Sequence, residues 1–593
     1  MQGRMMDIIL VNGVNYQSYK AIPQIGQLIL RNILREEFEV ECINFDYLVK
    51  TRQMNYMSTL EENIEQFADY VCQYEPKVVG LYTICNSFMT SLLLAKRIKE
   101  LKPQTIIVLG GPHATLLAKE CLYEYPFLDA ISLGEGEKTI LPLMKALVAH
   151  QDLSKLQGVA YVQNDQVVYN ASPILLTNDE LGQYTPMDYK PFELDQEEKV
   201  ELEAGRGCPF ECTFCSTSTF WGRKFRIKPV DTLIQEMKQL NHLYGIKTFS
   251  FVHDMFTVNK EYLLTFCTRM INEKISLYWN CSSRVDVLTP EILNKMKGAN
   301  CKGIYLGIET GSPRMQKLIN KNIDLQHAFR MIQYIYEAGM EMTVSFVFGY
   351  PEETIEDFQC TIHMIEEIYC MGERNVQLHR FMLLPHTKDT EKVLKNVYFD
   401  ENDVDFSIYD EKLYDQRAKQ LISEHPNTFI SFYTFQSEVR TKYKIFDSFV
   451  FYIGSAMGVF SCCIRYLIRK YGLESLYFDY LDRIERVYMT ARTMQIEHGA
   501  KADSLMPEIY EMVNFIFMQE LEERYTEEFY QFYICEKELL NYSNTREKKP
   551  VYYHFPFDVI LARKSGQFIL KENIIRFGYE NHKLRVSRVR VEV

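Results

Sequence analysis

The chain has 593 residues, of which 47% are hydrophobic and 24% are charged, and its formal net charge is -13 at pH 7. This length predicts roughly two to four domains with sizeable cores. The acidic balance argues against a broad nucleic-acid-binding surface, which a basic excess normally marks. Fifteen cysteines without a regular pairing pattern indicate reduced thiols rather than a secreted disulfide framework.

The N-terminal residues lead directly into a short apolar strand and lack the longer apolar region of a signal peptide. Residues 449–464 form an uncharged run. At about 16 residues this run falls short of the roughly 20 that a bilayer core requires. We therefore expect a buried core helix there, no membrane span and a cytoplasmic location.

Short apolar runs alternate with amphipathic segments over residues 1–150. They predict strands at residues 7–11, 38–43, 78–82, 105–109 and 130–133, and helices at residues 25–34, 60–74, 87–101 and 138–148. Five strands separated by helices predict a Rossmann-like, doubly wound parallel sheet. Such a sheet binds ligands beyond the carboxyl ends of its strands.

Two glycine-rich turns follow the last two of these strands, with the sequences Gly110-Gly111-Pro112-His113 and Gly134-Glu135-Gly136-Glu137. Glycine allows a bulky ligand to come close to the backbone. Taken alone, each turn is equally consistent with a structural role, because short glycine turns are common in α/β folds. Further on, residues 158–169 predict a β-hairpin, and the polar residues 178–198 predict a linker.

Cys208, Cys212 and Cys215 follow a predicted strand with the spacing C-x3-C-x2-C. A 4Fe-4S cluster normally takes four thiolates, and a structural zinc ion also takes four ligands. Residues 151–241 contain no other cysteine or histidine, so three thiolates would leave one iron open to a substrate. Three ordinary buried cysteines are the alternative, but the spacing favours a cluster.

This motif, with the aromatic Phe214 directly before its last cysteine, resembles the signature of the radical S-adenosylmethionine (SAM) enzymes. In that family the open iron binds the amino and carboxylate groups of SAM. The two glycine turns upstream resemble those of the cobalamin-binding domain in one branch of the family. The chain thus resembles a cobalamin-dependent, class B radical methyltransferase.

The resemblance implies a set of cobalamin contacts around the nucleotide tail of the cofactor. They are Thr83, Gly110, Gly111, Pro112, His113, Gly134, Glu135 and Gly136. Better-known cobalamin domains carry D-x-H-x-x-G after the first strand, and its histidine binds cobalt. Residues 12–20 lack that motif, so cobalamin is expected to bind without a histidine ligand from this loop.

Strands and amphipathic helices alternate again after the hairpin. Strands are predicted at residues 199–203, 248–252, 276–281, 303–308, 343–348 and 376–383. Six such units predict an open (β/α)6 partial barrel with its functional groups at the carboxyl ends of the strands. The resemblance implies that SAM contacts there include Phe214, Asp254, Arg284, Glu309 and Gly349, although each alone has an equally good explanation as an ordinary loop residue.

The C-terminal third is rich in tyrosine and predicts helices at residues 413–425, 449–471, 476–490 and 505–533, with a hairpin-like segment at residues 558–577. Its aromatic side chains would suit an apolar or aromatic substrate at the barrel mouth. The predicted division is an α/β multidomain chain with these parts: a cobalamin-binding domain (1–150), a hairpin and linker (151–198), the partial barrel (199–400) and a mainly helical accessory domain (401–593).

The resemblance implies cleavage of SAM to a 5'-deoxyadenosyl radical, which takes hydrogen from an unactivated carbon of a small molecule or peptide. Methylcobalamin then supplies a methyl group, and a flavodoxin or ferredoxin supplies electrons. No catalytic residue is assigned beyond the cofactor ligands.

Two alternatives stay open: a non-methylating cyclisation, rearrangement or oxidation with the same cofactors, and a non-catalytic cobalamin sensor. A methylthio-transferring RNA enzyme is disfavoured, since the sequence shows neither a basic appendage nor an N-terminal cysteine triad.

Overall fold

The structure, a computed structural model, arranges the chain in two parallel sheets and a smaller antiparallel sheet, with helices packed around them. It describes residues 6–16, 21, 24–185, 188–189, 199–401, 415–498, 505–544, 551–565, 567–580 and 583–588.

Seven strands form the first sheet: β1 (Ile8–Val11), β2 (Val40–Ile43), β3 (Val78–Tyr82), β4 (Ile106–Gly110), β5 (Ala130–Ser132), β6 (Val159–Gln163) and β7 (Gln166–Tyr169). Their spatial order is β2-β1-β3-β4-β5-β6-β7, with the first five parallel and the last two antiparallel. This order confirms the doubly wound fold. The predicted hairpin, β6 and β7, extends this sheet instead of standing apart from it.

Eight helices accompany this sheet: α1 (Ile25–Leu34), α2 (Phe45–Lys50), α3 (Leu60–Cys72), α4 (Phe88–Leu101), α5 (Pro112–Leu116), α6 (Ala118–Glu124), α7 (Ile140–Val148) and α8 (Asn178–Leu181). Apolar residues of α3 and α4 cover one face, and those of α1 and α7 cover the other. Because both faces are covered, the central strands are apolar throughout.

The middle of the chain contains β8 (Val200–Glu203), β9 (Gly205–Arg206), β10 (Arg226–Ile227), β11 (Thr248–Val252), β12 (Tyr278–Ser283), β13 (Cys301–Glu309), β14 (Glu341–Phe348) and β15 (Val376–Arg380). The order β15-β14-β13-β12-β11-β8 is parallel throughout. Strands β8 and β15 lie at opposite edges, as expected for the open six-stranded barrel. Strands β9 and β10 form a short antiparallel ladder beside the cysteine loop.

The barrel helices are α9 (Thr217–Phe220), α10 (Val230–Tyr244), α11 (Lys260–Asn272), α12 (Pro290–Gly298), α13 (Pro313–Leu318), α14 (Leu325–Glu337), α15 (Ile355–Met371) and α16 (Lys388–Val393). Local caps fix several of them. Ser312 caps α13, and Thr354 with Asp357 forms a capping box on α15. Ser312 also donates to Asp357 at 2.5 Å, which ties the turn after β13 to the start of α15.

The C-terminal part contains α17 (Gln416–Glu424), α18 (Glu438–Lys442), α19 (Phe446–Ala456), α20 (Ser461–Tyr471), α21 (Leu473–Asp479), α22 (Leu481–His498), α23 (Met506–Glu523), α24 (Glu527–Asn544) and α25 (Val559–Ser565). Strands β16 (Val551–Phe557), β17 (Leu570–Glu580) and β18 (Lys583–Arg588) form the antiparallel sheet. The sequence-based helix boundaries were too coarse here: each of the predicted long helices 449–471, 476–490 and 505–533 is two helices.

Two of these differences are clear in the structure. Between α19 and α20 the chain turns at residues 457–460, where glycine at position 458 lets the guanidinium of Arg374 pack against the backbone. The predicted hairpin at residues 558–577 contains α25 before β17, because the partner of β17 is the earlier strand β16. The first residues of the helix predicted at 413–425 lie outside the described residues. Within the described parts of the chain, no helix combines the length and hydropathy of a membrane span.

Candidate functional site

A cavity of about 270 Å³ lies between the carboxyl ends of the first sheet and the barrel. Leu10 on β1 and Gly80 on β3 line it, so it lies where the strand order of the doubly wound sheet reverses. This is the position where such sheets bind their ligands. The predicted contacts Gly110, Gly111, Pro112, Gly134, Glu135 and Gly136 line the cavity, and Glu203, Arg206, Phe220 and Trp221 line it from the barrel side.

The two glycine turns need glycine for geometric reasons. Gly111 has a φ of +95°, and a Cβ there would lie 2.5 Å from the carbonyl oxygen of Thr83. Gly134 has a φ of +64°, and its Cβ would lie 2.8 Å from Pro173. Any other residue at these two positions would force the turns, and with them this wall of the cavity, to rearrange.

Thr83 and His113 do not line this cavity. The Thr83 hydroxyl donates to the carbonyl of Gly110 at 2.8 Å and accepts from the backbone N–H of Ala114 at 3.1 Å, so it holds the turn together. His113 is buried, with Nε2 3.0 Å from the carbonyl oxygen of Thr428. Burial lowers the pKa of His113 to about 4. The placement of His113 at the cofactor is thereby corrected: its ring packs between the first sheet and the C-terminal part.

Glu135 belongs to a buried network that joins the two halves of the site. Its carboxylate pairs with Arg206 at 3.3 Å and with Arg226. Arg206 pairs in addition with Glu137 and, at 2.7 Å, with Glu203. Arg206 directly precedes Gly207 and Cys208, at the start of the cysteine loop. Its ion pairs with Glu135 and Glu137 therefore connect this loop to the second glycine turn of the first sheet.

The cysteine loop is held from outside by two neighbouring segments. The backbone N–H of Thr213 donates to the carbonyl of Ile319 at 3.0 Å, and its hydroxyl donates to Asp389 at 2.6 Å. The Asn320 side chain donates to the carbonyl of Glu211 at 3.0 Å. The thiols of the loop can thus stay in place without bonding to one another.

Cys208, Cys212 and Cys215 are free, half-buried and close enough for their charges to interact. Burial raises the pKa of Cys208 to about 11, and the negative charges of Cys215, Asp254 and Cys212 add to the effect. Burial also raises the pKa of Cys212, whereas the positive charges of Lys321 and Arg284 lower it.

Among the described residues, no three His, Cys, Asp or Glu side chains converge tightly enough to chelate a single ion. A cubane takes one thiolate per iron, so its ligands surround a larger object than one ion. Three free thiols near two cations therefore fit a three-thiolate 4Fe-4S cluster, and the cations would favour its thiolate ligands.

Asp254 follows β11 and contacts the loop. It accepts hydrogen bonds from the backbone of Gly207 and the hydroxyl of Thr217. Its side chain has open surface, yet the surrounding protein limits hydration of the carboxylate and raises its pKa despite those bonds. Asp254 is thus an accessible acceptor beside Cys208.

Arg284 is buried and already paired. Its Nε and Nη2 donate to Asp286 at 3.0 and 2.8 Å, and Nη2 also donates to the carbonyl of Lys321 at 2.6 Å. The guanidinium lies 4.0 Å from the ring centre of Phe210. The cation that the sequence points to as the partner of the SAM carboxylate is therefore held rigidly next to the cysteine loop.

Glu309 has a φ of +71° at an irregularity in the pairing of β13 with β14. Its carboxylate pairs with Lys321 at 2.6 Å, and both side chains are nearly buried. A Cβ at Gly307 would collide with this pair, so the glycine makes room for it. Such a strained, charged residue at a strand end is typical of functional sites.

Gly349, after β14, has a φ of +76° and packs against the side chain of Arg440 from α18. The backbone N–H groups of Gly349 and Tyr350 donate to Glu353. Tyr350 is buried, and its ring lies edge-on to Phe214 with 5.7 Å between centroids. The C-terminal part thus covers the turn that the sequence points to as the adenine-binding side.

Sequence reasoning missed Lys321 and Arg206. Nothing in the pattern around Lys321 marks it: Glu309 lies 12 residues earlier, on the other side of α13, and Cys212 lies in a separate loop. Arg206 was detectable in principle: a buried acidic turn with two glutamates requires a cation, and this arginine precedes the cysteine motif.

Comparison with known proteins is consistent with this geometry. Residues 202–365 match the Radical SAM superfamily, and residues 12–143 match the B12 binding domain. The chain joins a B12-binding domain to a radical SAM domain. Their cofactors are a 4Fe-4S cluster, SAM and cobalamin, which confirms the predicted set and makes the chain a radical SAM enzyme.

Among curated relatives, "Uncharacterized methyltransferase PH0819" of Pyrococcus horikoshii is 29% identical over 373 residues, covering 62% of this chain and 79% of that protein. The chain spans 51 to 63% of the length of four further relatives that are 27% identical to it.

Two solved structures share the fold. The radical SAM methyltransferase TsrM from Kitasatospora setae has a TM-score of 0.52 at 16% identity, covering 65% of this chain and 76% of its own. The cobalamin-dependent SAM radical enzyme OxsB has a TM-score of 0.52 at 15% identity, covering 91% and 84%. The latter likeness extends into the C-terminal third.

Proposed function

We propose that this protein is a cobalamin-dependent radical SAM methyltransferase that methylates an unactivated carbon of a small molecule or peptide. The proposal rests on one observation: the cysteine loop lies next to the glycine-lined cavity of the B12-binding domain, and Arg206, which directly precedes the loop, lines that cavity. The relative PH0819 is described as a methyltransferase, and so is TsrM.

Cys208, Cys212 and Cys215 would hold the cluster, with Phe210 and Phe214 excluding water from it. Asp254 would accept from the methionine amine, and Arg284 would orient the carboxylate. Glu309 would accept from the ribose hydroxyls, and Gly349 would allow the adenine to approach the backbone. Three charged side chains at the ends of β11, β12 and β13 would thus fix one molecule in one orientation, and such positioning is a main contribution that a protein makes to cofactor chemistry.

Gly110, Gly111, Pro112, Gly134, Glu135 and Gly136 would hold the nucleotide tail of cobalamin, with Thr83 holding the first turn in shape. When bound, the cluster and SAM supply a 5'-deoxyadenosyl radical, and cobalamin carries the methyl group. The residues around them would keep water out and would orient these groups relative to the substrate.

We further propose a cytoplasmic enzyme that takes single electrons from a flavodoxin or ferredoxin. We propose the division into domains given above, with the hairpin reassigned to the first domain because β6 pairs with β5.

The proposal is tested on anaerobically purified, reconstituted protein. We expect iron, sulfide and cobalamin in the protein, and 5'-deoxyadenosine from SAM under reductant. A product heavier by one methylene group supports methylation, whereas loss of two hydrogens without methyl gain contradicts it. A protein that binds cobalamin but forms no 5'-deoxyadenosine would instead be a sensor.

Each of the variants Cys208→Ala, Cys212→Ala and Cys215→Ala should lose the absorbance of the cluster. Cys360→Ala is the matched control, because this thiol is exposed on α15. Retention of the cluster by any of the three variants would contradict the ligand assignment.

A further inference from the structure

The barrel has a polar inner face. On each strand, alternate residues such as Phe249, Trp279 and Leu306 are buried in the core beneath the helices. The residues between them face the concave side, since successive side chains in a strand point to opposite faces. On β8 and β11 to β15 this second set is dominated by carboxylates, hydroxyls and amides, and Val252 and Val347 are its aliphatic members.

One row crosses four strands at the same height. Glu201 pairs in register with Ser250, Ser250 with Asn280, and Asn280 with Gly303. The Ser250 hydroxyl donates to the Asn280 side chain at 2.9 Å. A Cβ at Gly303 would lie 3.7 Å from the Cβ of Asn280, so these residues share one face, and Gly303 leaves space above it.

Glu201, at the end of this row, forms no ion pair and no side-chain hydrogen bond among the described residues. It is only half exposed. Burial raises its pKa, and the neighbouring Lys199 has a smaller, opposite effect. Burying an ionised carboxylate in this setting costs free energy unless a cation or a hydrogen-bond donor pairs with it.

Glu201 also lies next to the cofactor side. Its charge contributes to the raised pKa of Tyr82, which ends β3 and lines the cavity between the domains. A group held at Glu201 would therefore lie inside the barrel and close to the B12-binding domain. The residue two positions further along β8, Glu203, lines the cavity itself.

We propose that the concave face binds a polar substrate and that Glu201 receives a positively charged nitrogen of that substrate. This inference rests on the proposed function and deepens it. It replaces the expectation of an apolar or aromatic substrate, which followed from the composition of the C-terminal third. The buried aromatic residues of that part lie largely in a hydrophobic core that it shares with the outer side of the barrel, whereas the inner side of the strands presents polar groups.

The test uses the cobalamin- and cluster-loaded protein and three probes that share a phenylethyl group: 2-phenylethylammonium, 2-phenylethanol and ethylbenzene. Equilibrium dialysis gives their dissociation constants. We expect the wild type to bind the ammonium at least about tenfold more tightly than the alcohol, because hydrogen bonds between charged groups are the stronger ones. Ethylbenzene should bind most weakly.

Glu201→Gln should abolish the preference for the ammonium, and Glu201→Asp should retain part of it. Glu291→Gln, on the exposed outer side of α12, should leave it unchanged. Equal binding of the ammonium and the alcohol overturns the inference, as does a preference that survives Glu201→Gln. Binding of none of the probes at millimolar concentration also overturns it.

An assay of SAM cleavage distinguishes failure of the substrate inference from failure of the proposed function. Every variant is assayed for 5'-deoxyadenosine without any probe present. If the wild type forms this product but shows no ammonium preference, the inference about the substrate fails alone. If the wild type forms none, the proposed function fails, whatever the probes show.

Discussion

At the scale of single residues, Lys321 shows how much of the site depends on one unanticipated side chain. It neutralises Glu309 at 2.6 Å and lowers the pKa of Cys212 through its charge. Its backbone carbonyl also accepts from Arg284. One buried cation thereby links a predicted ribose ligand, a predicted cluster thiol and a predicted partner of the SAM carboxylate.

Replacing Lys321 by methionine should destabilise the protein by about 3 kcal/mol, because it leaves the nearly buried Glu309 charge without its partner. Urea unfolding of cluster-free protein measures the change. Adding Glu309→Gln to the Lys321→Met variant should restore part of the lost stability. Lys317→Met, on the exposed side of α13, is the control and should change stability by less than about 0.5 kcal/mol.

Glu353 gives a prediction about pH. Burial raises its pKa from the ordinary 4.5 to about 8, and Asp357 adds to this, while two backbone N–H bonds and Arg440 oppose it. The folded state therefore keeps a proton that the unfolded chain has lost. The stability that this proton contributes is complete below about pH 4.5 and is lost as the pH rises towards 8.

Glu353→Gln should remove this loss, so that the variant is the more stable protein above pH 8. Free energies of unfolding in urea, measured from pH 5 to 9, test it, with a wild-type slope of about 1.4 kcal/mol per pH unit in the window. Glu352→Gln, at an exposed neighbouring position, should keep the wild-type slope. A Glu353→Gln profile parallel to that of the wild type would count against the buried proton.

At the scale of elements, the turns after parallel strands carry the site. The turn between β4 and α5 requires glycine at position 111, because its φ is +95° and a Cβ would meet the carbonyl of Thr83. The start of α5, and with it the wall of the cavity, depends on that close approach. An alanine there would push the helix away from β3.

Gly111→Ala should therefore reduce cobalamin affinity by at least about tenfold, since both steric overlap and backbone strain act against the turn. Gly339→Ala is a matched control: its φ is +66°, but nothing lies within 4 Å of the new Cβ. It should lower stability slightly and leave the affinity unchanged. The measurement is the dissociation constant of cobalamin for the wild type and for the two variants. If Gly111→Ala bound cobalamin as tightly as the wild type, the turn would not be a cobalamin contact.

At the scale of the whole molecule, Arg206 and Arg226 with Glu135, Glu137 and Glu203 form a cluster of ion pairs that joins the first sheet to the barrel. Arg206 and Arg226 also lie 6.0 and 5.6 Å from the ring centre of Trp221. Buried charges are stable only when their partners are in place, so the two domains should dock as one unit at this point.

A double-mutant cycle with Glu137→Gln and Arg206→Met should give a coupling energy of about 1 to 3 kcal/mol. The chain has two tryptophans, so Trp221 fluorescence in a Trp279→Phe background can follow urea unfolding at the junction. The exposed pair of Lys145 and Glu37 is the control and should couple by less than about 0.5 kcal/mol. A similarly small value for Arg206 would mean that the domains do not depend on this network.

Much of the fold follows from local patterns. Alternation of short apolar runs with amphipathic segments predicts both parallel sheets, and α1 and β3 begin and end at the predicted residues. Where helices are joined by tight turns, as between α23 and α24, periodicity continues across the break, so the pattern predicts one long helix. The sequence predicted a hairpin within residues 558–577, but β17 pairs with β16, which precedes α25. Local patterns do not show a pairing between strands that are separated by a helix.

The sequence by itself was enough to predict the cofactors, because the cysteine spacing and the two glycine turns are local motifs that carry the resemblance to cobalamin-dependent radical SAM enzymes. Tertiary structure alone decided which side chains share a site. It moved His113 into a packed interface, placed Lys321 between Glu309 and Cys212, and brought Arg206 to the acidic turn. It also aligned Glu201 with Ser250 and Asn280, since strand register joins residues about 50 to 80 positions apart, as expected for parallel strands separated by crossover helices.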